Sequence, residues 1–418
     1  SSTIGVSVIG VNGGLDHLSK DKKTSYGVEA DYTNLAPYFN IVKPKQAPNL
    51  GPEVIGTSLN FRRKTSATGM LKFYGYGNWT KMGFNSGSIE YPGYTESFRL
   101  HNNNAYTNMT YRENIGHDWH LYAGASYSTN TDNINADTLL KDPAPTMIRV
   151  RSDLSQAKLM FSRNLGAFSV LRLGGEYQYA AELSSLNWNK ANYVDNYTAA
   201  FAEGDIYFTP SFVGRVGGRA EYTSILGKMN FAPRLSLAYK VNNYSQFSVA
   251  YGDYYQKPEP QYIRFDNGLG YVKATHYILS YQRVANDYTF RTELFYKKYE
   301  DLVKTAPSYS NNGSGYAQGV ELFWRDRKTF RNVDYWISYS YLDTKRDYLD
   351  YPFRVQPDFA AKHTASIVYK HFLPRLGTNL GVTYTFATGR PYYDPNLPED
   401  RFMSERTITY NAVGLSAS

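Results

Sequence analysis

The sequence of 418 residues contains no cysteine and no long apolar run. Without cysteine the chain can form no disulfide, no thiolate metal site and no cysteine nucleophile. Its longest apolar runs fall far short of the roughly 18 residues that a transmembrane helix needs, so we expect no membrane-spanning helix. An initiator Met and an apolar signal segment are also missing at Ser1, from which we expect a mature product or a piece of a longer chain.

Catalytic and metal-binding patterns are missing as well. None of the seven histidines lies in a metal-binding spacing, and His117 and His120 are interpreted as residues of a tight turn. The stretch from Asp132 to Asp137 resembles a calcium loop only weakly, because it lacks the glycine and the final glutamate, and we interpret it as a polar loop. With no phosphate loop and no G-x-S-x-G elbow either, we predict no enzyme, no metal site and no cofactor.

The formal net charge of +8 is spread along the chain. Lys and Arg occur singly within alternating segments and turns, whereas a nucleic-acid surface needs a clustered basic stripe. The charge therefore does not predict nucleic-acid binding.

Aromatic residues and period-two alternation are abundant. The chain has 41 Tyr, 22 Phe and 5 Trp, and alternation is clearest over residues 288–297. There Tyr288, Leu294 and Tyr296 share one face of a predicted strand, whereas Arg291 and Glu293 share the other, because successive side chains of a strand point in opposite directions. Tyrosines at the ends of an apolar stripe are typical of a membrane interface.

About 19 such segments occur, including those near 3–14, 67–79, 99–112 and 118–128. Tight turns, such as those at Arg163–Gly166 and Ala285–Asp287, alternate with long connections rich in Tyr, Asn and Pro. The long connections lie near 80–98, 129–146, 255–272, 304–315, 343–358 and 388–406. Short turns at one end of the strands and long loops at the other are typical of an outer-membrane barrel, with the long loops extracellular.

These features predict an all-β fold, a large antiparallel transmembrane β-barrel that forms one domain over residues 1–418. A soluble β-sandwich or propeller also alternates, but its strands are usually shorter. Bacterial single-chain barrels have even strand numbers, so we expect 22 strands, with one strand before Ser1 and two after Ser418.

Several short motifs carry a resemblance to a known family. They are Tyr32-Thr33-Asn34-Leu35-Ala36-Pro37-Tyr38-Phe39, Ala232-Pro233-Arg234-Leu235, Ala250-Tyr251-Gly252-Asp253-Tyr254-Tyr255, Tyr316-Ala317-Gln318-Gly319-Val320-Glu321 and Ala387-Thr388-Gly389-Arg390-Pro391-Tyr392-Tyr393. In this order they resemble the barrel of TonB-dependent outer-membrane receptors, particularly those of Bacteroidetes-type bacteria. The N-terminal plug domain with the TonB-engaging motif, which such receptors use as a gate, has no counterpart in this chain.

The resemblance implies a transporter of the Gram-negative outer membrane that binds scarce cargo at the cell surface and imports it with energy from TonB. The cargo of the family includes ferric siderophores, haem, cobalamin and glycans, so iron or cobalt would belong to the cargo. The loops are short for so many strands, which favours small cargo. Implied partners are outer-membrane lipid and lipopolysaccharide, TonB through the plug, and a surface lipoprotein. A passive channel and a structural or binding subunit of a larger assembly stay open as alternatives.

Candidate cargo-binding residues lie in the long loops and near the strand ends that precede them. Aromatic faces and the arginine fork suit anionic or polyhydroxylated ligands, although Tyr in such a sequence also serves in loop packing. The candidates are Tyr254, Tyr255, Gln256, Tyr262, Arg264, Arg346, Arg390, Tyr392 and Tyr393.

Overall fold

The computed structural model describes residues 1–42, 47–88, 93–116, 118–138, 146–166, 168–264 and 268–418. Twenty strands of this described part belong to one antiparallel sheet, and two short strands form a separate hairpin. The chain divides into two units, which are described in turn. Unit 1 comprises Ser1–Leu165, Arg172–Phe201 and Glu221–Gly227, and unit 2 comprises Gly166–Leu171, Ala202–Ala220 and Lys228–Ser418.

Unit 1 is built from consecutive antiparallel strands, each paired with the next one along the chain. One short helix, α1 (Ala36–Ile41), interrupts the connection between the third and fourth strands. The strands are β1 (Ser2–Ser7), β2 (Gly10–Leu18), β3 (Thr24–Asn34), β4 (Ala47–Lys64), β5 (Met70–Gly87), β6 (Thr95–Ile115), β7 (Trp119–Thr138) and β8 (Thr146–Leu165). Three further strands contribute residues to both units, namely β9 (Ser169–Leu186), β10 (Asn189–Thr209) and β11 (Phe212–Thr223).

Unit 2 continues the same pattern, and β19 pairs with β22 at its end. Its sheet strands are β12 (Lys228–Asn242), β13 (Ser245–Gln256), β14 (Val272–Ala285), β15 (Tyr288–Lys304), β16 (Ser310–Asp326), β17 (Val333–Asp347), β18 (His363–Leu373), β19 (Thr378–Ala387) and β22 (Tyr410–Ala417). The remaining elements lie in connections: α2 (Pro260–Ile263), the hairpin of β20 (Pro391–Tyr392) and β21 (Glu405–Arg406), and a 3₁₀ helix at Glu399–Arg401.

The predicted alternation over residues 288–297 is confirmed by the strand register. Tyr277 lies opposite Tyr296 with ring centroids 6.2 Å apart, and Leu279 lies opposite Leu294. Leu279 and Leu294 remain 45% and 47% exposed, so this side of β14 and β15 is an uncovered apolar face. Such a face, repeated along neighbouring strands, is the surface that a lipid bilayer covers. On the other side of the same strands, Glu293 faces Ser280 and Glu321.

Two predictions about strand limits are wrong. Residues 3–14 form parts of β1 and β2 rather than one strand, because the chain turns at Val8 and Ile9. Strands β5, β6 and β7 are also longer than the segments 67–79, 99–112 and 118–128 that were predicted. The extension of β7 over residues 129–138 is rich in Asn and Thr on both faces, so backbone pairing continues there although apolar alternation has ended. The main sheet has 20 strands in the described residues rather than about 19. One strand before Ser1 and two after Ser418 would now give 23 and not the expected 22, so these flanking numbers stay an untested prediction that the observed count no longer supports.

A charge placed on the apolar face should destabilise the protein in lipid. We expect Leu279→Arg to lower the free energy of unfolding in lipid vesicles by about 2–4 kcal/mol, because the guanidinium would lie in hydrocarbon. Ser280→Arg, one residue along on the polar face, is the matched control and should cost much less. Urea titration of both variants checks this, and equal losses would show that the two faces are assigned wrongly.

Candidate functional site

Four connections lie at the same end of unit 2, because its neighbouring strands are antiparallel. They follow β13, β15, β17 and β19, and their residues are 257–271, 305–309, 348–362 and 388–409. The one after β15 is short, so the long connection predicted near 304–315 is wrong, because residues 310–315 belong to β16. We call these connections, with the strand ends that flank them, the loop layer. All nine candidate residues predicted from the sequence lie in it.

Arg346, at the end of β17, is enclosed by aromatic rings. Its guanidinium carbon lies 4.5 Å from the ring centroid of Tyr299, 5.6 Å from that of Tyr348 and 5.1 Å from that of Phe359. The backbone of Arg346 also pairs with Val355, which folds the β17–β18 connection back onto the strand. Because a guanidinium is attracted to the faces of such rings, Arg346 helps to fix this connection on β17.

A chain of ring contacts joins two of the connections. Tyr348 packs edge-on against Tyr351 at 4.8 Å, Tyr351 packs against Phe402 at 5.0 Å, and Phe402 contacts Tyr393 at 5.1 Å. Tyr351 is buried, and burial raises the pKa of its hydroxyl well above the ordinary value for tyrosine. This chain of rings therefore acts as a small apolar core for the loop layer, and Tyr393 is its outermost member, 52% exposed.

Polar contacts fasten the other connections to this core. Lys304 forms an ion pair with Asp347 and donates a hydrogen bond of 2.6 Å to the carbonyl oxygen of Tyr351. Asn311 accepts a 2.6 Å hydrogen bond from the amide of Gly270, which attaches the connection that contains α2 to β16. The loop layer is consequently stabilised by ring packing, an ion pair and hydrogen bonds.

The β20–β21 hairpin presents two of the candidate residues. Arg390 and Tyr392 are exposed. The carbonyl oxygen of Arg390 accepts a hydrogen bond from the amide of Thr407, and the amide of Arg390 donates one to the Thr407 hydroxyl. Gly389 is required here, because a Cβ atom would lie 1.9 Å from the carbonyl oxygen of Thr407. Arg406 donates a 2.8 Å hydrogen bond to Gln356, so the hairpin is tied to the β17–β18 connection.

The candidates Tyr254 and Tyr255 point to opposite faces of β13. The Tyr254 ring lies 4.5 Å from the ring of His276 and 4.8 Å from the guanidinium carbon of Arg234. Tyr255 instead contacts Tyr271 and Lys273. The candidates Tyr254 and Tyr255 thus lie on different surfaces of the sheet.

The remaining candidates surround α2. Gln256 is exposed at the last position of β13, and Arg264 is exposed just after α2. Tyr262 lies close enough to Tyr348 to contribute to the raised pKa of the Tyr348 hydroxyl, although burial is the main cause. Ile263 is buried and anchors the helix.

Several residues of the loop layer could not be selected from sequence. Tyr351, Phe402 and Lys304 carry its internal packing, and Arg234 and His276 flank Tyr254. Among these residues, Arg234 alone lies in one of the motifs that the sequence analysis named. The others are single residues in a chain with 41 Tyr and 22 Phe, and they meet only through strand pairing.

A depression of about 600 Å³ lies on the face of β14 to β19 that carries the charged side chains. Ser338, Ser340 and Ser366 line it together with Arg291 and the opposed pair Glu293 and Glu321. It is an uncovered part of the wall with groups of both charges.

The polar stretches considered as metal sites have other roles. His120 contacts the side chains of Asn114 and Asn164 through its two ring nitrogens, whereas His117 lies outside the described residues. Asp132 to Asp137 belong to β7, so the interpretation as a loop is wrong. Within the described ranges, no group of three or more potential ligands could hold a metal ion. No helix in that part of the chain is both long and apolar enough to cross a membrane.

Comparison with known proteins identifies the class. Residues 47–418 match the family described as TonB dependent receptor-like, beta-barrel, and the chain belongs to this family. No curated protein sequence gives a significant match. The protein is therefore an outer-membrane β-barrel of a family of transporters, not enzymes, and membership implies small-molecule cargo and an interaction with TonB.

Solved structures share the fold at low sequence identity. The ferric enterobactin receptor of Pseudomonas aeruginosa is 12% identical with a TM-score of 0.70, over 100% of this chain and 71% of that one. The siderophore receptor PirA of Acinetobacter baumannii is 12% identical with a TM-score of 0.71, over 100% and 72%. The FrpB iron transporter of Neisseria meningitidis is 10% identical with a TM-score of 0.73, over 98% and 72%. These likenesses concern the fold.

Removing the Arg346 guanidinium should loosen the loop layer. We expect Arg346→Ala to cost about 1–2 kcal/mol of local stability, because three ring contacts are lost. Hydrogen exchange at the Arg346 and Val355 amides, which bond to each other's carbonyls, should become faster. Arg390→Ala removes an exposed arginine of the same layer and should leave this exchange unchanged. Unaltered exchange in Arg346→Ala would contradict the proposed anchoring role.

Proposed function

We propose that this chain forms the barrel of a TonB-dependent importer. It binds scarce cargo at the cell surface and releases it toward the periplasm when TonB, using the proton-motive force, acts on a plug domain. The loop layer of unit 2 is the proposed first contact for cargo. Outer-membrane lipid and lipopolysaccharide surround the wall in this proposal, and a surface lipoprotein is a further proposed partner.

The proposal rests on a group of exposed arginine and tyrosine side chains in a hairpin that neighbouring connections hold in place. Arg390, Tyr392 and Tyr393 are exposed, yet the hairpin that holds them is tied to neighbouring connections through Phe402 and Arg406. Binding to groups that are already fixed loses less conformational entropy than binding to mobile ones. An arginine fork beside aromatic rings suits an anionic or polyhydroxylated cargo.

Small cargo is favoured over large cargo. Three of the four connections of the loop layer have about 15 residues or fewer, and two of the four fold onto each other through the contact of Tyr351 with Phe402. Ferric siderophore, haem and cobalamin fit this limit better than a long glycan does. The proteins that share the fold include a ferric enterobactin receptor, a siderophore receptor and an iron transporter, so an iron-containing cargo is the first one to test.

Two alternatives make different predictions. A passive channel would conduct ions without a plug, so conductance of the full-length protein in planar bilayers separates it from a gated importer. A structural or binding subunit would bind partners but give no uptake. The apolar wall is the same in all three cases, because function depends on the loops and the lumen.

Uptake by the full-length protein tests the proposal. Cells that lack other receptors and express it should take up at least one of ferric siderophore, haem, cobalamin or a glycan, and an uncoupler should stop this uptake. Uptake that persists with the uncoupler would indicate a channel, and no uptake of any cargo would favour the subunit.

The loop layer can be tested with the same cells. Replacing Arg390 and Tyr393 together by Ala should weaken binding of the transported cargo roughly 10-fold, since both side chains would contact it. Arg375→Ala, an exposed arginine in the turn at the opposite strand end, should have no effect. A similar loss in both variants would exclude the loop layer as the binding surface.

A further inference from the structure

A group of polar side chains that includes two arginines lies on the lipid-facing side of unit 1, near the connections after β5 and β7. Met109 and Leu159 belong to the apolar stripe of this side, and they are 48% and 46% exposed. Arg99 lies ten residues from Met109 on β6. Arg149 lies ten residues from Leu159 on β8. Residues an even number apart on a regular strand share one face, so both arginines lie on this side, and both are exposed.

The strand register places further polar groups between the two arginines. Arg99 lies opposite Asn135, whereas Asn133 has Arg149 on one side and the exposed His101 on the other. With strands about 4.8 Å apart and same-face residues about 6.8 Å apart along a strand, the Cα atoms of the arginines are roughly 12 Å apart. Their long side chains can therefore reach one ligand together, with amide and imidazole groups between them. We call these five residues the arginine patch.

Neither arginine of the patch has an acidic partner in the described part of the chain, whereas the neighbouring cations do. Lys81 forms an ion pair with Glu53. Arg151 bonds to Asp153 through two nitrogen atoms, at 2.9 Å and 3.3 Å. Asp137 is a further acid at the end of this face, so four cations lie near three acids. The patch therefore has an excess of positive charge, and its two guanidinium groups are free to bind an anion.

Other lipid-facing strand ends of the protein are arranged differently. On β13 to β15 of unit 2, Lys273 forms an ion pair of 3.2 Å with Asp253. On the same side, Lys298 forms an ion pair of 2.7 Å with Glu300. These acids neutralise the lysines beside them, so little attraction for an external anion is left. The two unpaired arginines thus distinguish the ends of β6 and β8 from those of β13 to β15.

The distance of the patch from the apolar wall indicates the size of a suitable lipid headgroup. Tyr127 is 39% exposed and donates a 2.7 Å hydrogen bond to Asp153, as expected of an aromatic residue at the membrane surface. Arg149 is six residues further along β8 than Ser155, the residue opposite Tyr127, which corresponds to about 20 Å along the strand. Because strands of such walls are tilted by about 35–45°, Arg149 lies roughly 15 Å above Tyr127. A phospholipid headgroup layer of about 5–8 Å ends below this level, so a suitable lipid has a larger anionic headgroup.

We infer that the arginine patch is a binding site for the anionic saccharide headgroup of lipopolysaccharide in the outer leaflet. Guanidinium groups bind phosphate and carboxylate through two parallel hydrogen bonds, and the carboxamides of the patch can bond to sugar hydroxyls. The apolar stripe that contains Met109 and Leu159 continues the same face and contacts the acyl chains. This site gives a defined position to a lipid that the proposed function only places around the wall, and binding there requires no transport.

Native mass spectrometry of the purified full-length protein in detergent tests the patch. The probes are deep-rough lipopolysaccharide, phosphatidylglycerol and inorganic phosphate. Lipopolysaccharide should bind more tightly than phosphatidylglycerol, and inorganic phosphate should not bind. Arg99→Gln together with Arg149→Gln should weaken lipopolysaccharide binding roughly 10- to 30-fold, because two cations near an anionic headgroup are lost. The same double variant should leave the affinity for phosphatidylglycerol unchanged, because that headgroup does not reach the patch.

Arg63→Gln together with Arg163→Gln is the matched control, because it removes the same charge from two exposed, lipid-facing arginines at the other end of the strands. Its affinity for lipopolysaccharide should stay that of the unaltered protein, and heat-dependent gel mobility verifies that each variant is folded. An equal loss in this control would show that only net charge matters and would overturn the inference. Unchanged binding in the Arg99 and Arg149 variant, equally tight binding of phosphatidylglycerol, or binding of inorganic phosphate alone would also overturn it.

Discussion

The structure depends on pairing of backbone N–H and C=O groups between neighbouring strands of the wall. In hydrocarbon an unpaired peptide group costs several kcal/mol, because no water is present to replace its partner. Each long strand of unit 1 and unit 2 therefore bonds to the next one along the chain over most of its length. Side chains then have only two directions available, and the apolar and polar faces follow from a period of two.

This constraint explains why the fold could be predicted from the sequence. In the segment around Leu294, one face must be apolar and the other is free to be charged, so alternation is visible without any alignment. Tight turns were also visible, as at Gly166, where a positive φ of 70° requires glycine. Strand number and strand ends were harder to predict. The Val8–Ile9 turn is apolar and carries none of the usual turn residues, so β1 and β2 were not separated.

Where the apolar face of the strands ends, backbone pairing between the strands continues, but side chains on that face no longer have to be apolar. The upper parts of β6 and β7 carry Asn, Thr and Asp on both faces, which in sequence resembles a loop. The interpretation of Asp132 to Asp137 as a loop was wrong for this reason. Register also brings together residues that no local pattern relates: Asn78, Asn104 and Asn130 are 26 residues apart at each step and lie opposite one another on β5, β6 and β7.

The candidate site was less predictable than the wall, because the same residue types serve packing and recognition. Arg346 and Arg390 look equivalent in sequence, but one is enclosed by three rings and the other is exposed. The relatives share the fold at 10–12% identity, as expected if backbone pairing fixes the wall and leaves the polar face free to vary. Likeness of the wall therefore carries little information about cargo. On the proposed function, information about cargo lies instead in the loop layer, where Arg390, Tyr392 and Tyr393 are exposed and the pairing of the wall places no requirement on their chemistry.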